Sequence, residues 1–432
     1  MEKHQLVIIG GGSAGIAAAL GAFENGLTDI LMIERDFEYG GILQQCIHNG
    51  FGLHTFNEEL SGPAYAEKYF SLIKDNQAIK VMYNSTVTKI EENNILTVQS
   101  TAGLLKIQAD GVIMATGCRE RPAGAIGIKG ERLEGVYSAG SAQKYCNKQG
   151  IMVGKNVFIL GSGDIGLIMA RRMTLEGANV IGVAEIMPYS NGLARNMKQC
   201  LDDFDIPLYL SHTVESVHGH GRLESITLIE VDEKLQKIEG SEQEIKCDLL
   251  LLSVGLIPEN NLIEELGVKL DPRTKGAVVD DTYMTSIKGI FACGNTLHVH
   301  DLVDYVSEEA RKCGRSAAEY VLGKVNDGVS VNNVLGNGIS YMVPQSFHKN
   351  KDIDFMFRVL KNIIQNAISY GEAQTPIDIS IGEIPDFVII KIKDTGVGIS
   401  KEDIDKIFNR YYSAAKKFRK IGTGLGLLPF HS

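Results

Sequence analysis

The 432-residue sequence predicts an α/β chain in which one parallel-sheet module is inserted into another of the same design. Three observations carry this. A strand, a glycine-rich turn, a helix and a second strand ending on a glutamate occur near the N-terminus and again from Lys155. Two later buried strands, each closing on a glycine, echo one another and follow the two units in the same order. Beyond residue 325 the texture changes to polar and turn-rich.

In chain order, residues 5–9 read as a short buried strand running into Gly10-Gly11-Gly12-Ser13-Ala14-Gly15, then an alanine-rich helix to about Glu24. Residues 29–33 are the next strand, ending at Glu34. In the second copy, residues 156–160 are the strand, Gly161-Ser162-Gly163-Asp164-Ile165-Gly166 the turn, and residues 179–184 the closing strand before Glu185. The segment ADGVIMATG (109–117) matches CDLLLLSVG (247–255). The chemistry of the turns is specific. The first glycine permits a sharp exit from the strand, the second lets backbone N–H groups approach a pyrophosphate, and the third lets helix and strand pack closely. The helix N-terminus adds unsatisfied N–H groups and a positive dipole end. Each glutamate follows its third glycine by 19 residues, the place of a carboxylate that accepts from ribose hydroxyls. The expectation is two Rossmann-like dinucleotide-binding domains. Glu185 favours NAD over NADP, because a 2′-phosphate would meet its charge, although Arg171, Arg172 and Arg195 lie nearby in sequence.

Composition agrees. Forty-seven Gly with ten Pro suit tight strand-to-helix turns, and 44% hydrophobic residues fill ordinary cores. A net charge of −10 gives no electrostatic support to a nucleic-acid partner. No apolar run approaches the length of a membrane span. The strand beginning within five residues leaves no room for a signal peptide, so a cytoplasmic location is expected. The seven Cys show neither CxxC nor CxxxxC spacing and no zinc-type spacing.

The motifs IIGGGSAG (8–15), MATGCRERP (114–122), ILGSGDIG (159–166), SVGLIPENN (253–261) and GIFACGN (289–295) together resemble the FAD/NAD(P)-dependent pyridine nucleotide-disulfide oxidoreductase-like family over residues 5 to about 343. The resemblance implies FAD contacts from Gly10, Gly12, Ser13, Ala14, Gly15, Glu34, Gly41, Ala115, Gly117, Gly294 and Asn295, and an NAD(P)H site at Gly161, Gly163, Asp164, Ile165, Gly166, Glu185 and Gly255. It implies an FAD-binding domain at 1–118 and 256–325 and an inserted NAD(P)-binding domain at 119–255. Two departures stand out. Asn295 replaces the family's Asp, and GGILQQCIHNGFG (40–52) carries one cysteine where some members carry a pair. That segment and CGNTLHVHDLVDYVSEEA (293–310) are similar to the FAD/NAD-binding subunits that pair with glycerol-3-phosphate, opine or amino-acid dehydrogenase subunits. The implied activity is hydride transfer between nicotinamide and flavin without a redox disulfide. Electrons would pass to or from a partner dehydrogenase subunit or a small acceptor, in an oligomer. Cys46, His48 and His300 are the catalytic candidates: a charge-transfer thiol, and imidazoles that stabilise reduced flavin or move protons. Cys46 also suits a plain buried small side chain, and the histidines suit caps or core hydrogen-bonders.

Residues 326–350 read as a linker. Residues 351–432 carry NIIQNAISYG (362–371), DTGVGIS (394–400), IFNRYY (407–412) and GTGLGL (422–427), which resemble the ATP-binding domain of sensor histidine kinases. This implies a partial α/β ATP-binding sandwich with Asn366 at Mg²⁺, Asp394 at the adenine, and Gly396, Gly398, Gly424 and Gly426 along the nucleotide. Only five residues follow GTGLGL and no phosphoacceptor hairpin precedes it, so the whole reads as a fusion with a truncated ATPase domain. Two alternatives remain at this point: an ATP-binding redox-sensing signalling fusion, and a non-catalytic flavin-binding structural subunit.

Overall fold

The computed structural model describes residues 1–324 and 341–348 in full, and the backbone of the strands Ser330–Asn332, Met356–Phe357, Asp378–Ile384 and Phe387–Lys393. The chain gathers into two compact units. The first comprises Met1–Leu270, Lys275–Ala277 and Thr285–Val325; the second comprises Asp271–Thr274, Val278–Met284 and Asn326–Ser432.

The first unit holds the two modules the sequence predicts, the first on a mixed sheet with a parallel centre and the second on a parallel sheet. In the N-terminal sheet the strands run in the order Ile79–Met82, Ile30–Ile33, Glu2–Ile9, Gly103–Met114, Ile95–Ser100, Thr86–Glu91, and Ile290–Ala292 also pairs with Gly103–Met114. The pairings around Glu2–Ile9 are parallel, with Ile9 opposite both Ile33 and Met114. Leu6, Val7 and Ile8 are fully buried, as a strand covered on both faces requires. The helices Ser13–Glu24 and Val303–Val321 pack against each other through small residues. A Cβ on Gly21 would lie 2.1 Å from Arg311 O, and one on Gly314 only 2.0 Å from Ala18 O. The alanine run of the first helix is thus a close-packing surface, and Arg311 locks its end to Glu24 at 2.6 Å.

The second sheet is wholly parallel: Val136–Ser138, Leu249–Leu252, Asn156–Leu160, Asn179–Glu185, Leu208–Leu210. Leu249, Leu250, Leu251 and Leu252 alternate between its two faces and feed two separate cores. Each contributes roughly 2 kcal/mol by burial. An antiparallel sheet of His212–His220, Arg222–Glu230 and Gln243–Lys246 follows. The segments by which the chain enters and leaves this module, Cys118–Glu120 and Leu256–Pro258, pair antiparallel with each other.

In the second unit, Gln345 N donates to Val279 O at 3.0 Å and Val279 N to Gln345 Oε1 at 3.0 Å. His348 Nδ1 lies 2.5 Å from Asp281 Oδ1. Within the stretch read as linker, Ser330–Asn332 and Ser346–His348 form an antiparallel pair. Residues 377–381 and 387–392 read in the sequence as a strand pair, and Asp378–Ile384 pairs antiparallel with Phe387–Lys393. The apolar spacing at Leu360, Ile363, Ile364, Ala367 and Ile368 predicts a helix over residues 353–370. Met356–Phe357 within it is instead a strand paired antiparallel with Met342–Val343, and the rest of that range lies outside the described residues. Among the described residues no helix is long and apolar enough to cross a membrane.

Candidate functional site

The first turn is built by backbone contact. Gly10 N donates to Ile33 O and Ala115 N to Ile9 O, both at 2.9 Å, which brings the turn against the end of Gly103–Met114. Gly10 has φ +110°, and a Cβ there would sit 2.4 Å from Ala115 O. Only glycine satisfies both conditions. Gly15 is constrained by contact alone: its Cβ would fall 1.8 Å from Gly10 O. Gly12 differs, since a Cβ there meets no protein atom within 4 Å. It precedes the helix Ser13–Glu24, whose N-terminus carries no side-chain cap. The open approach therefore lies where helix N–H groups and the dipole favour an anion. Glu34, 5% exposed, spans the turn, accepting from Gly11 N at 2.6 Å and from Asp36 N at 2.8 Å.

Other expected residues converge here. Gly40 N donates to Gly11 O at 2.8 Å, and Gly41 lies against the Cα of Gly12. Gly294 faces Ala14, where its Cβ would be 2.8 Å from that methyl. Cys293 N donates to Met114 O, joining the 290s segment to the same strand end as Ala115. Gly117 N donates to Thr296 Oγ1 at 2.7 Å. These residues surround the open approach at Gly12.

The second turn repeats this frame. Gly161 N donates to Ala184 O and Ser253 N to Leu160 O, both at 2.7 Å. A Cβ on Gly161 would lie 2.1 Å from Ser253 O, and one on Gly166 the same distance from Gly161 O, while Gly163 is open within 4 Å. Glu185 accepts from Ser162 N at 3.0 Å, Ser162 Oγ at 2.7 Å and Met187 N at 3.1 Å. Gly255 is open as well, at φ +97°. Ile165 is 38% exposed. Asp164 is turned to a local task, accepting from Leu193 N at 2.8 Å and Asn196 Nδ2 at 2.7 Å.

The catalytic candidates fall into two groups. Cys46 lies in the segment after the Gly41–Gln45 helical turn, its thiol donating to Ile42 O at 3.3 Å and Gln143 Oε1 at 3.7 Å. Burial pushes this thiol up to about 12, so it is protonated at neutral pH. Half-buried His48 has its pKa lowered by burial and by Arg195, against the opposing pull of Asp164. Gln45 ties the same loop to the helix Ala139–Gln149: its Nε2 donates to Gly140 O, and its O accepts from Asn147 Nδ2, both at 2.8 Å. His300 belongs to the second group. Its N donates to Asn295 Oδ1 at 3.0 Å, and its Nε2 lies 3.3 Å from Glu309 Oε2. Asn295 Nδ2 reaches Cys118 Sγ at 3.6 Å.

Glu309, Thr296 and Asn260 escape the sequence reading. Glu309 accepts from Gly294 N at 2.7 Å and pairs with His298 at 2.9 Å. Burial pushes its carboxyl up, but His300 and His298 outweigh that and hold it well below the usual carboxylate range. Its signal was its place on the apolar stripe Val306, Ala310, Cys313, Ala317, where an acid needs a partner. Asn260 donates to Lys275 O and Thr296 O. Asn366, Asp394, Gly396, Gly398, Gly424 and Gly426 lie outside the described residues.

The family model for pyridine nucleotide-disulphide oxidoreductases matches residues 4–314, and the chain belongs to this family. It is an FAD/NAD(P)-dependent oxidoreductase. A second family model, for histidine kinase-, DNA gyrase B- and HSP90-like ATPases, matches residues 351–428. Among its relatives is the glutamate synthase [NADPH] small chain of Mycobacterium tuberculosis, 27% identical over 357 residues that cover 75% of this chain and 68% of the relative. Another is the hydrogen cyanide synthase subunit HcnB of Pseudomonas aeruginosa, 24% identical over 339 residues, covering 73% and 70%. The crystal structure of T. acidophilum thioredoxin reductase shares the fold, with a TM-score of 0.60 at 21% identity over 75% of this chain and 100% of that one.

Proposed function

We propose that the first turn holds FAD and the second NAD, and that the protein moves hydride between them and hands electrons to or from a partner dehydrogenase subunit or a small acceptor without a redox disulfide. The observation that carries this is the repeated frame: two blocked glycines around one open glycine, with a buried carboxylate locked above. When bound, the two cofactors supply hydride transfer between nicotinamide C4 and flavin N5. The protein's part is alignment. Backbone N–H groups at Gly12 and Gly163 face the pyrophosphates, and Glu34 and Glu185 accept from the riboses. Gly294 and Asn295 close the flavin side. Buried Glu185 supports NAD, since a 2′-phosphate would meet its charge.

Several features support an acceptor other than a disulfide. Residues 40–52 carry one cysteine, Cys46, where a redox pair would need two, and burial holds its thiol protonated. Two relatives carry subunit names, which supports a partner chain. The test is the visible spectrum of the purified protein before and after anaerobic NADH. Loss of flavin absorbance on adding NADH is expected. Protein without flavin would overturn the proposal, and flavin that NADH never bleaches would point to a structural subunit.

The match of residues 351–428 to an ATPase family supports a second reading, an ATP site with Mg²⁺ at Asn366 and a signalling output. It expects retention on an ATP-analogue resin that Asn366→Ala abolishes.

A further inference from the structure

We propose that His298, His300 and Glu309 form a binding site for a divalent transition-metal ion of the zinc class. The donor atoms of these three side chains all lie within 4.8 Å of one another. The side chains of His298, His300 and Glu309 are 4%, 1% and 7% exposed.

The hydrogen bonds fix which atoms face the site. Asn295 Oδ1 accepts the backbone N–H of His300 at 3.0 Å, so that atom is an acceptor. His300 Nδ1 lies 3.3 Å from the same oxygen and must carry its proton there. That leaves the lone pair of a neutral imidazole on Nε2. This atom makes no hydrogen bond among the described residues and sits 3.3 Å from Glu309 Oε2. Glu309 Oε1 is engaged by Gly294 N, so Oε2 alone faces both imidazoles, with His298 Nε2 at 2.9 Å. A lone pair opposite a carboxylate is repulsive unless a positive charge lies between them.

Metal ligation resolves that conflict with the geometry present. Zinc bonds to nitrogen and carboxylate oxygen of roughly 2.0–2.1 Å place neighbouring tetrahedral ligands roughly 3.3 Å apart. The two Nε2···Oε2 separations, 2.9 and 3.3 Å, are of that size. Asn295 supplies the partner that a ligating histidine ordinarily finds for its other nitrogen. Two imidazoles select against magnesium and calcium. Two nitrogens and one oxygen are three of the four ligands of a zinc-type coordination set. Through Glu309 Oε1 the ion would brace the Gly294 backbone, which lies against Ala14 of the first helix.

The test uses the full chain with its flavin. After chelator treatment, incubation with zinc chloride and desalting, metal analysis should find about one zinc per chain. His300→Ala and Glu309→Gln should each lose it while keeping their flavin. Glu309→Gln could instead disturb the fold, so X-ray absorption at the zinc edge of the wild type gives an independent reading: nitrogen and oxygen neighbours with imidazole scattering. Wild-type protein without zinc would overturn the proposal and leave an imidazolium–carboxylate pair. Zinc retained by both variants, or sulfur in the coordination shell, would overturn it by placing the metal elsewhere.

Discussion

Gly12→Ala separates the ligand's needs from the fold's. At Gly12 φ is −76° and ψ −171°, a backbone that alanine adopts freely, and a Cβ meets no protein atom within 4 Å. The flavin-free protein should therefore melt at the wild-type temperature or slightly above, since replacing a compatible glycine gains about 0.4–1 kcal/mol. The methyl projects where the pyrophosphate would approach. It should cost one or two charge-assisted hydrogen bonds at roughly 1.5–3 kcal/mol each. A total of about 1.5–6 kcal/mol weakens FAD binding by roughly 10- to 20,000-fold. Gly15→Ala is the contrast, because its Cβ collides with Gly10 O at 1.8 Å and should lower the melting temperature of the flavin-free protein itself. The assay is fluorescence titration of deflavinated protein with FAD, with a thermal melt of the same samples. If Gly12→Ala binds FAD within about threefold of wild type, the proposed FAD site is wrongly placed. A variant that melts well below wild type would show that Gly12 serves the fold instead.

Glu185→Ala should narrow the preference for NADH over NADPH, measured as the ratio of kcat/KM values; an unchanged ratio would remove Glu185 from the ribose. Gly163→Ala should raise KM for NADH while leaving flavin content unchanged, because Gly163 lies on the second turn only. Burial raises Cys46 and Cys247 from 9.0 to about 12 in the folded protein. Their contribution to stability is therefore whole below about pH 8.5, where the unfolded thiols are also protonated, and is lost as pH rises towards 12. Urea midpoints should fall across that window, and a flat profile would contradict the burial of these thiols. Native Cys46 should also resist alkylation at pH 8 far more than the urea-unfolded chain, as read by peptide mass spectrometry.

Much of this architecture is legible in the sequence because it depends on local rules. A glycine with φ above +100° packed onto a carbonyl, as at Gly10 and Gly161, admits no other residue, so the turn prints itself in the chain. The two echoing segments were readable because both are buried beside their turns and read as continuous apolar runs. The His298–His300–Glu309 cluster was not readable as a unit. Its members come from a loop and a helix face, and only packing reveals that Glu309 points inward. Asp164 was legible only in part. Its position in the motif suggests a nucleotide contact, and the structure adds bonds from Leu193 N and Asn196 Nδ2 to one carboxylate oxygen, which the motif does not encode. The pairing of Gln45 with Gly140 and Asn147 joins residues about 100 positions apart, which no local pattern encodes.

Glu34 and Glu185 have a shared consequence for how nucleotides arrive. Each carboxylate is already clasped through both of its oxygens by backbone N–H groups. Their orientation and much of their dehydration are thus settled during folding. At the proposed sites an incoming ribose would meet a stiff acceptor with lone pairs still available, and little reorganisation would oppose association. If the proposed sites hold, nucleotide exchange would proceed without rebuilding either loop.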